Sequence, residues 1–179
     1  QMILMVGVPG SGKSTQSQLL AATGNYRWVY IGEVLRRTVS GEDAALMRSG
    51  KLLDDTKVIN YLEQEIARIG EGPEIIIDGF PRSIYQTEWL VGSHKSQAYN
   101  IRAVVHIQVE KDVVLERLAN RGRPDDTDQA IAARFNIYDT AIHPIIADLK
   151  SHNVRIISVD GSKDALDVFA DISKELARL

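Results

Sequence analysis

The 179-residue sequence contains no cysteine, which excludes disulfide bonds and thiolate metal sites. No apolar run approaches the length of about 20 residues that a membrane-spanning helix needs, and we expect no secretory signal peptide. The net charge of -3 provides no global positive field for nucleic acid or anionic membranes. Aromatic residues are few and scattered, so they predict no stacking platform for single strands. We therefore expect a cytoplasmic protein with neither nucleic-acid nor membrane partners.

Hydrophobic residues make up 44% of the chain and charged residues 25%, which is typical of a globular domain. Short apolar runs alternate with segments of helical periodicity, and this pattern predicts an α/β fold with a mostly parallel sheet. Five strands are predicted, at Met2–Val8, Arg27–Ile31, Glu74–Asp78, Arg102–Val109 and Val154–Val159. The clearest predicted helices are Lys13–Ala22, Asp55–Ile69, Asp112–Asn120, a long one with Asp126 or Thr127 as its N-cap, and Ser162–Leu179. Pro144 predicts a kink or break in the long helix.

A Gly-rich loop follows the first predicted strand. Residues 7–14 read G-V-P-G-S-G-K-S, which matches the phosphate-binding pattern G-x-x-x-x-G-K-[ST] between a strand and a helix. Gly10 and Gly12 allow the backbone N–H groups to point inward at phosphate oxygens, and the helix adds the positive end of its dipole. Lys13 supplies a charge for the terminal phosphates, and the Ser14 hydroxyl is a candidate ligand of Mg²⁺. The alternative is an ordinary Gly-rich turn, which matches four positions by chance only rarely.

Asp78 ends the third predicted strand. A carboxylate at that end of a buried strand is suited to hold the water shell of Mg²⁺ beside a phosphate loop. The alternative is an ordinary acidic residue between a strand and a loop. We predict a metal site formed by Ser14 and Asp78, with Mg²⁺ held through bound water.

Residues 78–82 read D-G-F-P-R. Together with the phosphate loop, this pentapeptide resembles the adenylate kinase family of P-loop nucleoside monophosphate kinases, in its short-lid form. The resemblance covers nearly the whole chain. It implies a three-layer P-loop NTPase fold with a five-stranded parallel sheet and helices on both faces. It also implies one domain over 1–179, with an acceptor-binding subdomain at 31–54 and a short lid at 121–126, and no zinc.

The resemblance further implies reversible, Mg²⁺-dependent phosphoryl transfer from ATP to AMP, giving two ADP, by a monomer. The implied ATP-binding residues are Gly10, Ser11, Gly12, Lys13, Ser14, Thr15, Arg117, Arg121 and Lys163. The implied AMP-binding residues are Ile31, Gly32, Arg36, Lys51, Leu52, Leu53, Gly79, Phe80, Arg82, Gln86, Arg123 and Arg134. The implied catalytic residues are Lys13, Arg82, Arg117, Arg121, Arg123 and Arg134.

The many arginines have a physical reason. Two polyphosphates must approach each other, and the transferred group spreads negative charge over its oxygens, so preorganised guanidinium groups supply the counter-charge. A single arginine is more often a solvated surface residue. The six that fall at the family's spacing favour the functional interpretation.

Two departures from the family's pattern bear on the acceptor. Ile31 stands where adenylate kinases usually carry Thr, and Glu33 replaces an Asp. A uridylate or cytidylate kinase is one alternative. Gln86 disfavours this alternative, and Ile31 weakly favours it. Another is a non-catalytic nucleotide-binding switch, although the sequence has no N-K-x-D guanine motif. The four histidines have no metal-ligand spacing.

Overall fold

The computed structural model describes residues 1–49, 53–70, 72–121 and 128–179. Five strands lie in these ranges: β1 Met2–Val6, β2 Tyr26–Tyr30, β3 Glu74–Asp78, β4 Ile101–Gln108 and β5 Ile156–Asp160. Eight helices lie in the same described ranges: α1 Lys13–Ala22, α2 Ile31–Thr38, α3 Gly41–Arg48, α4 Asp55–Ile69, α5 Ile84–Lys95, α6 Lys111–Arg121, α7 Asp128–Ser151 and α8 Ala165–Leu176.

The five strands form one sheet in the order β2-β3-β1-β4-β5, and every neighbouring pair is parallel. The register of β1 on β3 pairs Met5 with Asp78, so these two strands end side by side. From β1 the chain crosses to the edge strand β2, and from β3 it crosses over β1 to β4. Ligands bind at such reversals in open α/β sheets, outside the carboxyl ends of the strands.

Two hydrophobic layers cover the sheet. On one face, Ile3 and Met5 of β1 pack with apolar residues of α1 and α8. On the other face, Leu4 and Val6 belong to a larger cluster that includes residues of α2, α4, α5, α6 and α7. Successive side chains of a strand point to opposite faces, so a strand covered on both sides must be apolar throughout. The predicted three-layer fold with a five-stranded parallel sheet is therefore confirmed.

Helix α5 was not predicted from the sequence. Its buried residues are Gln86, Thr87, Leu90 and Val91, so polar and apolar residues share its inner face. The periodic stripe that marks an amphipathic helix is absent from its sequence for this reason.

Helix α7 continues through Pro144, so the break considered for this position does not occur. A proline inside a helix cannot donate to the carbonyl of the residue four positions earlier, here Thr140. The flanking residues Ile142, Ile145 and Ile146 are buried in the core, and this packing holds the helix together across the proline.

Candidate active site

A cleft of about 770 Å³ opens at the carboxyl ends of β1 and β3. The Gly-rich loop lies on one side of this cleft, and residues from α2, α4 and α5 lie on the other. Both predicted nucleotide-binding halves therefore contribute to a single cavity.

The loop has the conformation that a phosphate cradle requires. Gly10 and Gly12 have φ angles of 83° and 100°, in the left-handed region that favours glycine. A Cβ atom on Gly10 would also lie 2.9 Å from Cγ of Leu118. Lys13 begins α1, and its Nζ donates hydrogen bonds to the carbonyl oxygens of Gly7 at 2.8 Å and Val8 at 2.9 Å. These bonds hold the ammonium group along the inside of the loop.

Helix α1 opens toward the cleft. Its N-cap is Gly12, which has no side chain that could cap the first turn. Uncapped N–H groups and the positive end of the helix dipole together attract an anion. The start of α1 is therefore suited to bind phosphate.

Ser14 and Asp78 join the loop to the neighbouring strand. Ser14 Oγ donates to Asp78 Oδ2 at 2.5 Å, and the carboxylate is only 1% exposed. Mg²⁺ prefers oxygen ligands and is usually held by one or two carboxylates, with water and substrate phosphates completing its shell. The two oxygen donors fit this preference.

On the side of the cleft that carries the Gly-rich loop, helix α6 and the turn after β5 form the end of the wall. Arg117 donates to the carbonyl oxygens of Gly161 at 2.9 Å and Ser162 at 3.4 Å. Lys163 Nζ donates to Asp171 at 2.7 Å, and this hydrogen bond raises the pKa of Lys163, with the charge of Asp171 adding to the effect. Both side chains line the cleft as cations.

Two arginines lie on the opposite side. The Arg36 guanidinium lies 5.3 Å from the centroid of the Tyr30 ring, within the range of a cation–π contact. Arg82 Nε donates to the carbonyl oxygen of Gly79 at 2.6 Å, and its guanidinium lies 5.4 Å from the Tyr138 ring centroid. These contacts direct two positive groups into the same cleft.

Gln86 lines the cleft, yet it is only 2% exposed. Its Oε1 accepts from the Arg82 backbone N–H at 2.7 Å, and its Nε2 donates to Asp55 Oδ1 at 2.7 Å. Ser83, the N-cap of α5, accepts from the Gln86 backbone N–H at 3.1 Å. The Gln86 amide is thus held at both ends.

Most of the sequence-predicted site residues meet in the cleft. They are Gly10, Ser11, Gly12, Lys13, Ser14, Thr15, Ile31, Gly32, Arg36, Leu53, Asp78, Gly79, Arg82, Gln86, Arg117 and Lys163. The Ile31 side chain is fully buried in the core. Phe80 is 1% exposed and packs edge-on against Trp89, so it supports the cleft from the core.

The remaining predicted residues lie outside what the structure describes. Lys51, Leu52 and Arg123 fall between the described ranges, and Arg121 and Arg134 are described only by their main chain, in α6 and α7. The proposed N-cap of α7 at Asp126 or Thr127 also falls outside.

Several residues that line the cleft were not predicted as site residues from the sequence. They are Tyr30, Leu35, Met47, Val58 and Tyr138. Tyr30 carried a usable signal, because it ends β2 at the same sheet edge as Asp78. The other four lie in helices whose apolar faces have the periodicity of core-facing residues. This periodicity does not distinguish residues that line a cleft from residues that pack in the core.

Within the described part of the chain, no group of three or more His, Cys, Asp or Glu residues could hold a metal ion. A metal here would therefore depend on hydroxyl, water and substrate oxygens besides Asp78. Among the helices that the structure describes, none combines the length and hydropathy needed to span a bilayer.

Comparison with known proteins shows the family to which the chain is similar. The family model described as Adenylate kinase matches residues 5–154. The adenylate kinase of Synechococcus sp. (strain WH7803) is 33% identical over 174 residues, covering 93% of this chain and 94% of that protein. The adenylate kinase of Prochlorococcus marinus (strain NATL2A) is 32% identical over 180 residues, or 97% of each. That of Corynebacterium urealyticum is 31% identical over 172 residues, or 93% of each. The chain belongs to the adenylate kinase family.

Proposed function

We propose that the chain transfers the terminal phosphoryl group of ATP reversibly to AMP, giving two ADP. The observation that carries this proposal is the convergence of two cationic groups of residues on one cleft. Lys13 and Arg117 lie on the loop side, and Arg36 and Arg82 lie opposite. Two anionic nucleotides meeting head to head need counter-charge on both sides.

ATP occupies the loop side in this proposal. Its phosphates take the N–H groups of the loop and the first turn of α1, with Lys13 and Arg117 as countercharges. The base lies toward the turn at Gly161 and Lys163, where α6 and β5 meet.

AMP occupies the opposite side. Arg36 and Arg82 hold its phosphate, and the Gln86 amide hydrogen-bonds its base. The apolar residues Leu35, Met47, Leu53 and Val58 line this part of the cleft, so a planar base would be desolvated there. The roles of Arg121, Arg123, Arg134, Lys51 and Leu52 rest on the family resemblance, as do the acceptor-binding subdomain at 31–54 and the short lid at 121–126.

Mg²⁺ is part of the proposal. Ser14 and Asp78 would hold the ion, which would offset the negative charge of the phosphates. No side chain needs to act as a nucleophile, because phosphoryl transfer depends on positioning and electrostatic stabilisation. The protein's part is to align the two nucleotides and to exclude water.

We further infer that the chain works as a monomer in the cytoplasm, without nucleic-acid or membrane partners. One copy of the chain supplies both sides of the cleft, so the reaction requires no second copy. The absence of cysteine and the net charge of -3 agree with this assignment.

A panel of nucleoside monophosphates, each mixed with ATP and Mg²⁺ in a coupled ADP assay, tests the acceptor. We expect AMP to be used far better than UMP, CMP or GMP, because sites that hydrogen-bond a base discriminate strongly. Preference for UMP or CMP would assign the chain to the uridylate/cytidylate kinases. ATP binding without turnover of any monophosphate would support a nucleotide-binding switch.

The Lys13→Met substitution tests the catalytic role of the Gly-rich loop. We expect a loss of turnover of about 100-fold or more, typical of removing one preorganised charge, while the fold is retained. Lys57→Met is the control, since Lys57 pairs with Asp43 on the surface. Activity of Lys13→Met within about threefold of the parent, under about 1 kcal/mol, would contradict the role of Lys13.

A further inference from the structure

Asp55, the first residue of α4, links this helix to α5. Its Oδ1 accepts from Gln86 Nε2 at 2.7 Å, and its Oδ2 accepts from Ser83 Oγ at 2.9 Å. Both carboxylate oxygens are thus used to hold the start of α5. Neither the sequence motifs nor the proposed mechanism assigns a role to Asp55.

The two partners of the Gln86 amide fix its orientation. The Arg82 backbone N–H can only donate, so it selects the amide oxygen. The Asp55 carboxylate only accepts when ionised, so it selects the amide NH₂. Turning the amide over would place a carbonyl oxygen against the carboxylate and an NH₂ against an N–H. It would break both hydrogen bonds and leave buried polar groups unsatisfied.

The amide keeps one hydrogen-bonding capacity at each end, because an NH₂ group has two hydrogens and a carbonyl oxygen two lone pairs. A neighbouring donor and acceptor in fixed order match the N1 acceptor and the 6-amino group of adenine. The 6-oxo purines present the reverse order, an N1–H donor beside an O6 acceptor. A Gln86 amide that cannot turn over therefore accepts adenine and rejects hypoxanthine.

We propose that Asp55 is a positioning residue that sets base specificity by locking the Gln86 amide in the orientation that selects 6-amino over 6-oxo purines. This rests on the proposed function, in which Gln86 contacts the acceptor base. When the carboxylate is removed, one end of the amide is released, and only the Arg82 N–H still favours the adenine-selecting orientation.

The test compares Asp55→Ala with Asp54→Ala. Asp54 is a matched control because it is the adjacent carboxylate and the N-cap of α4, accepting from the backbone N–H groups of Thr56 and Lys57. Values of kcat/KM for AMP and for IMP are measured at saturating ATP, and thermal denaturation checks folding. The ratio of the two values reports amide orientation, whereas a merely structural defect lowers both together.

For Asp55→Ala we expect the AMP:IMP ratio to fall by about tenfold or more, with the KM for AMP raised and the KM for ATP unchanged. Asp54→Ala should lose thermal stability but keep the parent's ratio within about twofold. Asp55→Asn can present either its oxygen or its NH₂ group to Gln86, so it should also lower the AMP:IMP ratio while keeping a polar contact at this position. If Asp55→Ala does not fold, Asp55→Ser replaces it, because the shorter uncharged side chain keeps a polar helix start.

A ratio in Asp55→Ala within about twofold of the parent's would overturn the inference, and so would an equal fall in Asp54→Ala. These outcomes are distinct from failure of the proposed function. That failure would appear in the parent itself, as an inability to convert ATP and AMP to ADP.

Discussion

Ser14 Oγ donates a 2.5 Å hydrogen bond to Asp78 Oδ2, which ties the first turn of α1 to the end of β3. The two residues are 64 positions apart in sequence, and the parallel register of β1 on β3 brings them together. The sheet thus places a hydroxyl and a carboxylate where the phosphate loop begins its helix. This relationship supports the proposed magnesium site.

Replacing Asp78 by Asn tests that site. The amide oxygen of Asn can still accept from Ser14, so the fold should be kept, but the negative charge that would hold the Mg²⁺ shell is lost. We expect kcat/KM to fall by about tenfold or more and the Mg²⁺ concentration for half-maximal activity to rise. Glu74→Gln, at the other end of β3 and paired with Arg102, is the control. An unchanged Mg²⁺ dependence in Asp78→Asn would argue against the site.

Tyr30 should act on the acceptor through Arg36. The guanidinium lies over the Tyr30 ring, which in turn stacks on Trp28 with a 6.0 Å centroid separation. Cation–π contacts contribute about 0.5–2 kcal/mol, so Tyr30→Ala should raise the KM for AMP by about 2- to 30-fold and leave the KM for ATP unchanged. Tyr30→Phe keeps the ring and should behave like the parent. Equal effects on both substrates, or a defect in Tyr30→Phe, would contradict this role.

Much of the fold could be predicted from local sequence. Residues 13–22 and 55–69 form helices over the predicted ranges, because the first follows the Gly-rich loop and the second carries apolar residues at helical spacing. The strand Glu74–Asp78 was also predicted with its observed ends, since it is a short apolar run between turn residues. Helix α5 could not be predicted, because Gln86 and Thr87 share its inner face with Leu90 and Val91 and no apolar stripe marks it.

The candidate site likewise contains features that could be predicted from the sequence and features that could not. The phosphate loop and Asp78 were predicted, because their chemistry is local to short motifs. The partners of Gln86 were not, since Asp55 lies 31 residues away and only the packing of α4 on α5 brings it near. Phe80 belongs to a recognisable pentapeptide, yet it packs in the core, and the motif alone does not distinguish a residue that contacts a ligand from one that supports the turn.

Alanine substitutions at Gly161 and Gly92, compared with each other, test the packing around the proposed ATP side of the cleft. A Cβ atom at Gly161 would lie 2.4 Å from Cγ2 of Ile107 and 2.7 Å from Cγ2 of Val109. Overpacking of this kind costs about 1–3 kcal/mol, so Gly161→Ala should lower the free energy of unfolding and weaken ATP binding. At Gly92, inside α5, no described heavy atom lies within 4 Å of the added Cβ apart from chain neighbours and the backbone of the helix itself. Gly92→Ala should stabilise the protein by up to about 1 kcal/mol.

Urea denaturation of both variants, with ATP titration, checks this expectation. A Gly161→Ala variant as stable as the parent, or a Gly92→Ala variant less stable than Gly161→Ala, would contradict it.

His106 should make stability depend on pH. Burial lowers the pKa of His106 below its ordinary value of 6.5, and the nearby His143 and Lys150 lower it further. The unfolded chain therefore binds a proton more readily, so the free energy of unfolding should decrease as the pH falls below about 6.5. His106→Leu does not titrate and should lose less stability between about pH 7.5 and 5.5 than the parent. Denaturation series at intervals across this range measure the difference, and equal losses would contradict the assignment.

A bisubstrate inhibitor shows whether one cleft holds both nucleotides at once. Binding of a diadenosine pentaphosphate, measured by calorimetry with Mg²⁺, should show one inhibitor per chain, and the inhibitor should compete with both ATP and AMP. Prior saturation with either nucleotide alone should weaken its binding. An inhibitor that competes with ATP but leaves AMP binding unchanged would contradict the binding of both nucleotides in one cleft.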